Sequence, residues 1–153
     1  MQTTHEFKPS STTELAVFRV GKFVCGLDIN AIHEINKNLL LTRIHQAPDY
    51  VAGIIALRGQ ILTIINLRKK FGLELIEPND EMRIVVVNSE GEKIGLLVDR
   101  VDDIITADTE ALQPPPQTLS AETGSYFLAV YQTDDELVAI LDVEKILQME
   151  PRH

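Results

Sequence analysis

Cys25, the histidines and two pairs of adjacent aspartates are the residues of this sequence that could do chemistry, and each can be weighed against the pattern its chemistry needs. Cys25 is the sole cysteine, so no internal disulfide can form. It alternates with Leu27 and Ile29 on the apolar side of "FVCGLDI", where a thiol acts as a small hydrophobe. His5, His33, His45 and His153 are scattered, with no HxH, HExxH or Cys/His group at ligand spacing, which argues against a zinc centre. Asp102-Asp103 and Asp134-Asp135 could serve a hydrolase only if two carboxylates faced each other across a cleft. Neighbours on a strand point to opposite faces, so solvated turns account for both pairs better. There is no P-loop, GxSxG or GxGxxG, and no cofactor is expected. A small hydrolase using Cys25 or a carboxylate pair is the rival reading from another class.

Arg58 is different. In "ALRGQILTIINLRKKFG" it stands with Gly59 between two almost unbroken apolar runs. A guanidinium beside aliphatic residues suits a protein contact, because it offers five donors on a flat, weakly hydrated face. Arg58 thus either faces another protein or closes an ion pair within its own domain, and Glu34, between Ile32 and Ile35 in "AIHEI", is a candidate for both roles.

The elements that must position these residues read as strands. From Leu15 onward, short β-branched runs alternate with turn signals, as in an all-β barrel or sandwich. Three hairpins follow one another: "IIAL" and "QILTII" around Arg58-Gly59, "RIVVVN" and "KIGLLV" around "SEGE", and "YFLAVY" and "LVAIL" around "TDDE". Helices are short and peripheral. Asn66 caps "LRKKF", Asp142 caps "VEKILQM", Pro48 and Gly53 bracket one turn in "PDYVA", and "INAIHEI" has isoleucines at helical spacing. Residues 1–13 are polar and read as a flexible tail, and "QPPPQ" at 113–117 as a stiff connector. Residues 150–153 are a C-terminal tail.

The totals limit the partners. The chain has 153 residues, enough for one domain with a real core. Its 23 acids against 14 bases give a net charge of −9, which repels phosphate backbones and anionic lipid. No nucleic-acid partner and no direct membrane insertion are expected. No apolar stretch approaches the length of a membrane span and no leader pattern opens the chain, so a cytoplasmic protein is expected.

The chain also echoes itself. "GLDINAIHEI" from Gly26 resembles "GLLVDRVDDI" from Gly95, 69 residues on, and "IINLRKKF" from Ile64 resembles "ILDVEKIL" from Ile140, 76 residues on. Two similar β subdomains, each leaving an apolar face for the other to cover, explain both echoes. At the second offset Arg58-Gly59 falls opposite Asp134-Asp135. One hairpin tip is cationic and its counterpart is anionic.

In their order, "GLDINAIHEI", "TRIHQAPDYVAGIIALRGQILTIINLRKKFG", "IGLLVDRVDDII" and "YFLAVYQTDDELVAILDVEKIL" resemble the CheW-like coupling proteins of bacterial chemotaxis. The resemblance implies an all-β fold: two intertwined five-stranded SH3-like β-barrel subdomains with short peripheral helices and a C-terminal helix, in a single domain over 14–149 with approximate halves 14–72 and 82–149. It implies a noncatalytic adaptor. The partners implied are the cytoplasmic tips of chemoreceptors, the regulatory domain of a CheA-type histidine kinase, and other CheW-like proteins in array rings. The partner-binding residues it implies are Arg58 and Glu34, with Ile32 and Gly53 at nearby surface positions. A scaffold of a receptor–kinase array outside flagellar chemotaxis is an alternative within the same resemblance. The sequence departs from the family pattern at Thr63 and Asn66, where Pro and Asp are common. Thr63 regains a backbone donor suited to a strand, and Asn66 retains a capping oxygen while losing a charge.

Overall fold

The structure is a computed structural model that describes residues 11–116 and 121–148. Ten strands run as β1 (Thr12–Val20), β2 (Phe23–Asp28), β3 (Ile32–Asn36), β4 (Val51–Leu57), β5 (Gln60–Asn66), β6 (Arg83–Ser89), β7 (Glu92–Val98), β8 (Arg100–Asp108), β9 (Phe127–Gln132) and β10 (Leu137–Leu141). The α-helices are short: α1 (Leu67–Lys70), α2 (Ala121–Gly124) and α3 (Val143–Leu147).

The strands form two five-stranded sheets, in the orders β8-β1-β2-β10-β9 and β3-β6-β7-β5-β4. Both use one scheme. An antiparallel hairpin (β1-β2 or β6-β7) pairs in parallel with the second strand of another hairpin (β10 of β9-β10, or β5 of β4-β5). A lone strand, β8 or β3, then closes the far side. Each residue of an internal echo accordingly sits on the counterpart strand: Gly26 and Gly95 on β2 and β7, Ile64 and Ile140 on β5 and β10. Residues of both expected halves, 14–72 and 82–149, enter each sheet, because the first sheet takes β1 and β2 from one end of the chain and β8 to β10 from the other.

Side-chain alternation on these strands divides the core into layers. On β6, Val85 and Val87 face the space between the sheets, while Ile84 and Val86 face a core belonging to the second sheet alone. Burial on both faces is why "RIVVVN" is a continuous apolar run and not an alternating one. The first sheet contributes Phe18, Val20, Cys25, Leu27, Ala139 and Leu141 to the shared layer, and Leu15 and Ile140 to a smaller one of its own. The shared layer is the largest of the three clusters.

The seam between the sheets is also polar and aromatic. The Asp99 carboxylate accepts from the Gly21 amide at 2.7 Å and from two nitrogens of Arg68 at 2.9 and 2.8 Å, tying the β1-β2 turn to the helix that follows β5. Phe71 lies 5.2 Å from Phe23, 5.6 Å from Phe127 and 6.0 Å from Tyr126, ring centre to ring centre. Lys70 is buried with its ammonium 3.8 Å from the Tyr50 ring centre, a cation–π contact.

Several local expectations are met. Asn66 Oδ1 accepts the Lys69 amide at 3.3 Å and Asp142 Oδ1 the Lys145 amide at 3.2 Å, so both caps close their helices. Thr63 pairs with Ile54 on one side and Ile94 on the other, an interior place in which proline would lose a ladder bond. Others need correction. "INAIHEI" is a single 3₁₀ turn (Ile29–Ala31) that enters β3, because pairing with β6 overrides its helical spacing. "PDYVA" is a tight turn, Val51 N–H to Pro48 O at 3.0 Å, that runs straight into β4. The expected tail overlaps β1, which begins at Thr12; residues 1–10, 149–153 and Gln117 of "QPPPQ" lie outside the described residues.

Candidate partner-binding site

Leu57 pairs with Gln60 at the end of the β4-β5 ladder, so Arg58 and Gly59 make a two-residue turn. Their φ values, 50° and 79°, are both positive, as a turn matching the right-handed strand twist requires. Glycine meets that demand freely, whereas arginine does so at a cost of about 1 kcal/mol. Arg58 nevertheless occupies the more exposed position of the pair it forms: its side chain is 71% exposed, and its Nη1 donates to Glu34 Oε1, whose side chain is 19% exposed.

The pair depends on an irregularity in β3. Ile32 pairs with Val87 but Glu34 pairs with Val86, so the register shifts by one at His33. Without that bulge, residues two apart would share a face. With it, Ile32 packs toward the layer between the sheets, and Glu34 turns to the other face beside Leu62, Val86 and Arg58. Asn36 Nδ2 donates to the second Glu34 oxygen at 3.3 Å. Burial by itself would raise the Glu34 pKa. The hydrogen bonds from Asn36 and Arg58 and the positive charges of Arg58 and His33 outweigh it, and the carboxyl sits below its ordinary value.

The structure therefore brings Arg58 and Glu34 together and separates them from the other two expected residues. Ile32, expected on the surface, is half-buried and supports the shared core. Gly53, also expected on the surface, is buried inside β4 at a register shift, with φ 150°. A Cβ there would lie 2.5 Å from the Thr42 carbonyl oxygen, in the stretch where Thr42 and Ile54 exchange backbone bonds of 2.9 and 2.8 Å. Gly53 is a close-approach glycine, and it is buried where a surface position was expected. The intramolecular partner of Arg58 is Glu34, and the arginine side chain stays largely exposed beside it.

The residues considered for catalysis are engaged otherwise. Cys25 is fully buried, and burial, with the charge of Asp99, pushes its thiol pKa up, away from the thiolate a nucleophile needs. Asp102 lies within β8 and not in a turn, as was expected for it; Arg19 Nε donates to it at 2.7 Å and Arg100 Nε at 3.0 Å. Arg19 also holds Glu136 through two bonds of 3.0 and 2.8 Å. Asp134 and Asp135 are in the β9-β10 turn as expected. Among the described residues no three His, Cys, Asp or Glu side chains are placed to hold a metal ion, and no helix is long and apolar enough to cross a membrane. Sequence reasoning missed Asp99, Arg19 and Lys70. Their significance comes from partners 20 to 117 residues away, and no local pattern marks them.

The family described as "CheW-like domain" matches residues 14–150. The chemotaxis protein CheW of Treponema pallidum (strain Nichols) is 34% identical over 137 residues, covering 87% of this chain and 81% of that protein. The chemotaxis protein CheW of Helicobacter pylori (strain ATCC 700392 / 26695) is also 34% identical, over 131 residues, covering 86% of this chain and 79% of that protein. Among solved structures, the scaffolding protein TtCheW from Thermoanaerobacter tengcongensis matches with a TM-score of 0.83 and 31% identity, covering 90% of this chain and 88% of that one. With a family match over residues 14–150 and relatives 34% identical across most of both chains, this chain belongs to the CheW-like family, the noncatalytic scaffolds of chemotaxis.

Proposed function

We propose that the protein is an adaptor that couples the cytoplasmic tips of chemoreceptors to the regulatory domain of a CheA-type histidine kinase, working in the cytoplasm beside other CheW-like chains at receptor arrays. The observation that supports this most directly is the arrangement of Arg58. The hairpin turn sets its guanidinium outward, 71% exposed, while Glu34 commits one of its nitrogens and limits its rotamers. A cation pre-positioned in this way loses less side-chain entropy on meeting a partner than a free arginine does. Its remaining donors suit carboxylates and carbonyls of a foreign surface. Arg58 and Glu34 are the contact residues in this reading, with Ile32 and Gly53 supporting the fold beneath them.

The test is receptor-stimulated phosphotransfer in a complex reconstituted from this protein, its receptor and its kinase. Arg58→Glu lies outside the core, so the variant folds, and its stimulation is expected to fall about tenfold or more, as the loss of a well-placed interface charge implies. Stimulation at the wild-type level would remove Arg58 from the coupling mechanism.

A further inference from the structure

Each sheet has two edges, and the fold treats them unequally. Along β4, Thr42 bridges Ile54, and along β9, Gln113 bridges Val130, so passing chain covers both edges. β3 has five residues and a bulge within it. β8 has nine residues, is paired with β1 along one side, and among the described residues has no strand on the other. From Ile104 to Asp108 it keeps regular register, and Ile104 is 59% exposed. An uncovered edge with an exposed aliphatic residue is a template for another strand.

A groove of about 590 Å³ adjoins this edge. Val17, Val101, Ile105 and Val138 contribute apolar lining, and Asp103, Asp134 and Asp135 stand exposed around it. Arg19, the cation within the groove, is occupied by Asp102 and Glu136. Among the described residues, Asp103, Asp134 and Asp135 enter no ion pair. The counterpart mouth on the second sheet has no excess of acids: Arg58 and Glu34 stand where the duplication puts Asp134 and Asp103, and Lys93 adds a second cation. The excess of negative charge therefore belongs to the β8 side alone.

We propose that the free edge of β8 and the adjoining groove take an extended segment of a partner protein in which lysine or arginine alternates with aliphatic residues. Adjacent side chains on a strand point to opposite faces. Ile105 lines the groove and Ile104 faces away from it, so a segment added along 104–108, beside the register shift at Asp102–Asp103, presents every second residue on the groove side, where the carboxylates stand, and the others on the side of Ile104. The backbone bonds hold the segment and the alternation selects it. This surface is separate from the Arg58 tip.

The test uses the full chain and a fluorescein-labelled eight-residue peptide of alternating lysine and valine, followed by anisotropy and by amide hydrogen exchange. Saturable binding is expected, with slowed exchange confined to β8, and no binding of the alternating glutamate and valine peptide. Asp103→Lys combined with Asp134→Lys is expected to weaken binding about tenfold or more, the scale of two lost charge-assisted contacts. Asp80→Lys with Glu81→Lys, the same change of charge away from the groove, leaves it within about twofold. Equal loss in both double variants, or binding without protection of β8, would show general charge attraction and overturn the proposal. Absence of binding would also overturn it, leaving the carboxylates as guards that keep the edge unpaired.

Discussion

Arg58 occupies a left-handed backbone position that asparagine or glycine would fill at lower cost, and its side chain compensates through Glu34. The ion pair is exposed on one side, so its value lies more in orientation than in stability. It is also pH-dependent in a defined direction. Glu34 and Asp102 both sit below their ordinary values: burial opposes ionisation in each, and hydrogen bonds from Asn36 and Arg58, or from Arg19 and Arg100, overcome it. A carboxyl with a depressed folded pKa contributes stability that is complete above its unfolded value, about 4, and is lost as pH falls through the folded one. Thermal unfolding from pH 7 to pH 3 is expected to show wild type losing its advantage over Glu34→Gln and Asp102→Asn, the curves converging in acid. Curves that stay parallel would show that neither carboxylate is linked to folding.

At the scale of elements, caps and close approaches decide the local geometry. Removing the Asn66 cap leaves an orphan amide at the start of α1, and Asn66→Ala is expected to cost about 1 kcal/mol in urea unfolding. Gly53 carries a larger constraint. Gly53→Ala sets a methyl against the Thr42 carbonyl in an already unfavourable φ, which should force the 42–54 bridge apart and cost about 1–3 kcal/mol. Because Gly53 and Arg58 share the β4-β5 hairpin, the same variant is expected to weaken coupling without touching a contact residue. An unchanged unfolding midpoint would refute the close-approach role. α1 also carries Lys70 into the seam and is followed there by Phe71, so a helix of four residues joins the hairpin that bears the site to the shared core.

For the whole molecule, the shared layer determines how it unfolds. Phe18 is fully buried there, and the layer draws residues from both sheets. Phe18→Ala is expected to cost about 3–5 kcal/mol. Its effect should appear in both sheets together, as one transition in hydrogen exchange. A variant that opened the first sheet and left the second protected would show two independent units. The interleaved chain path gives the physical ground for one transition. β1 and β2 find their sheet partners β8 to β10 only after β3 to β7 have been threaded between them in sequence, so neither sheet closes as a local unit.

Much of this was legible in the residues. β-branched runs, Gly-marked turns and the Asn66 and Asp142 caps depend on local sterics and hydrogen bonding, and they specified the three hairpins and two of the helices before any contact was known. The internal echoes anticipated the two matching sheets because a repeated pattern buries a repeated face. The prominence of Arg58 was equally a matter of type and place, a charge with no reason to be in an apolar hairpin. Tertiary structure alone decided what each residue does there. The bulge at His33 exists only when β3 meets β6, and it sends Ile32 to the core and Glu34 to Arg58. The approach of Thr42 exists only when the chain returns along β4, and it makes Gly53 a packing residue. Asp99 joins the sheets through partners 31 and 78 positions away. Periodicity along a chain carries the facing of side chains within an element, while register shifts and long-range pairings arise only when elements meet.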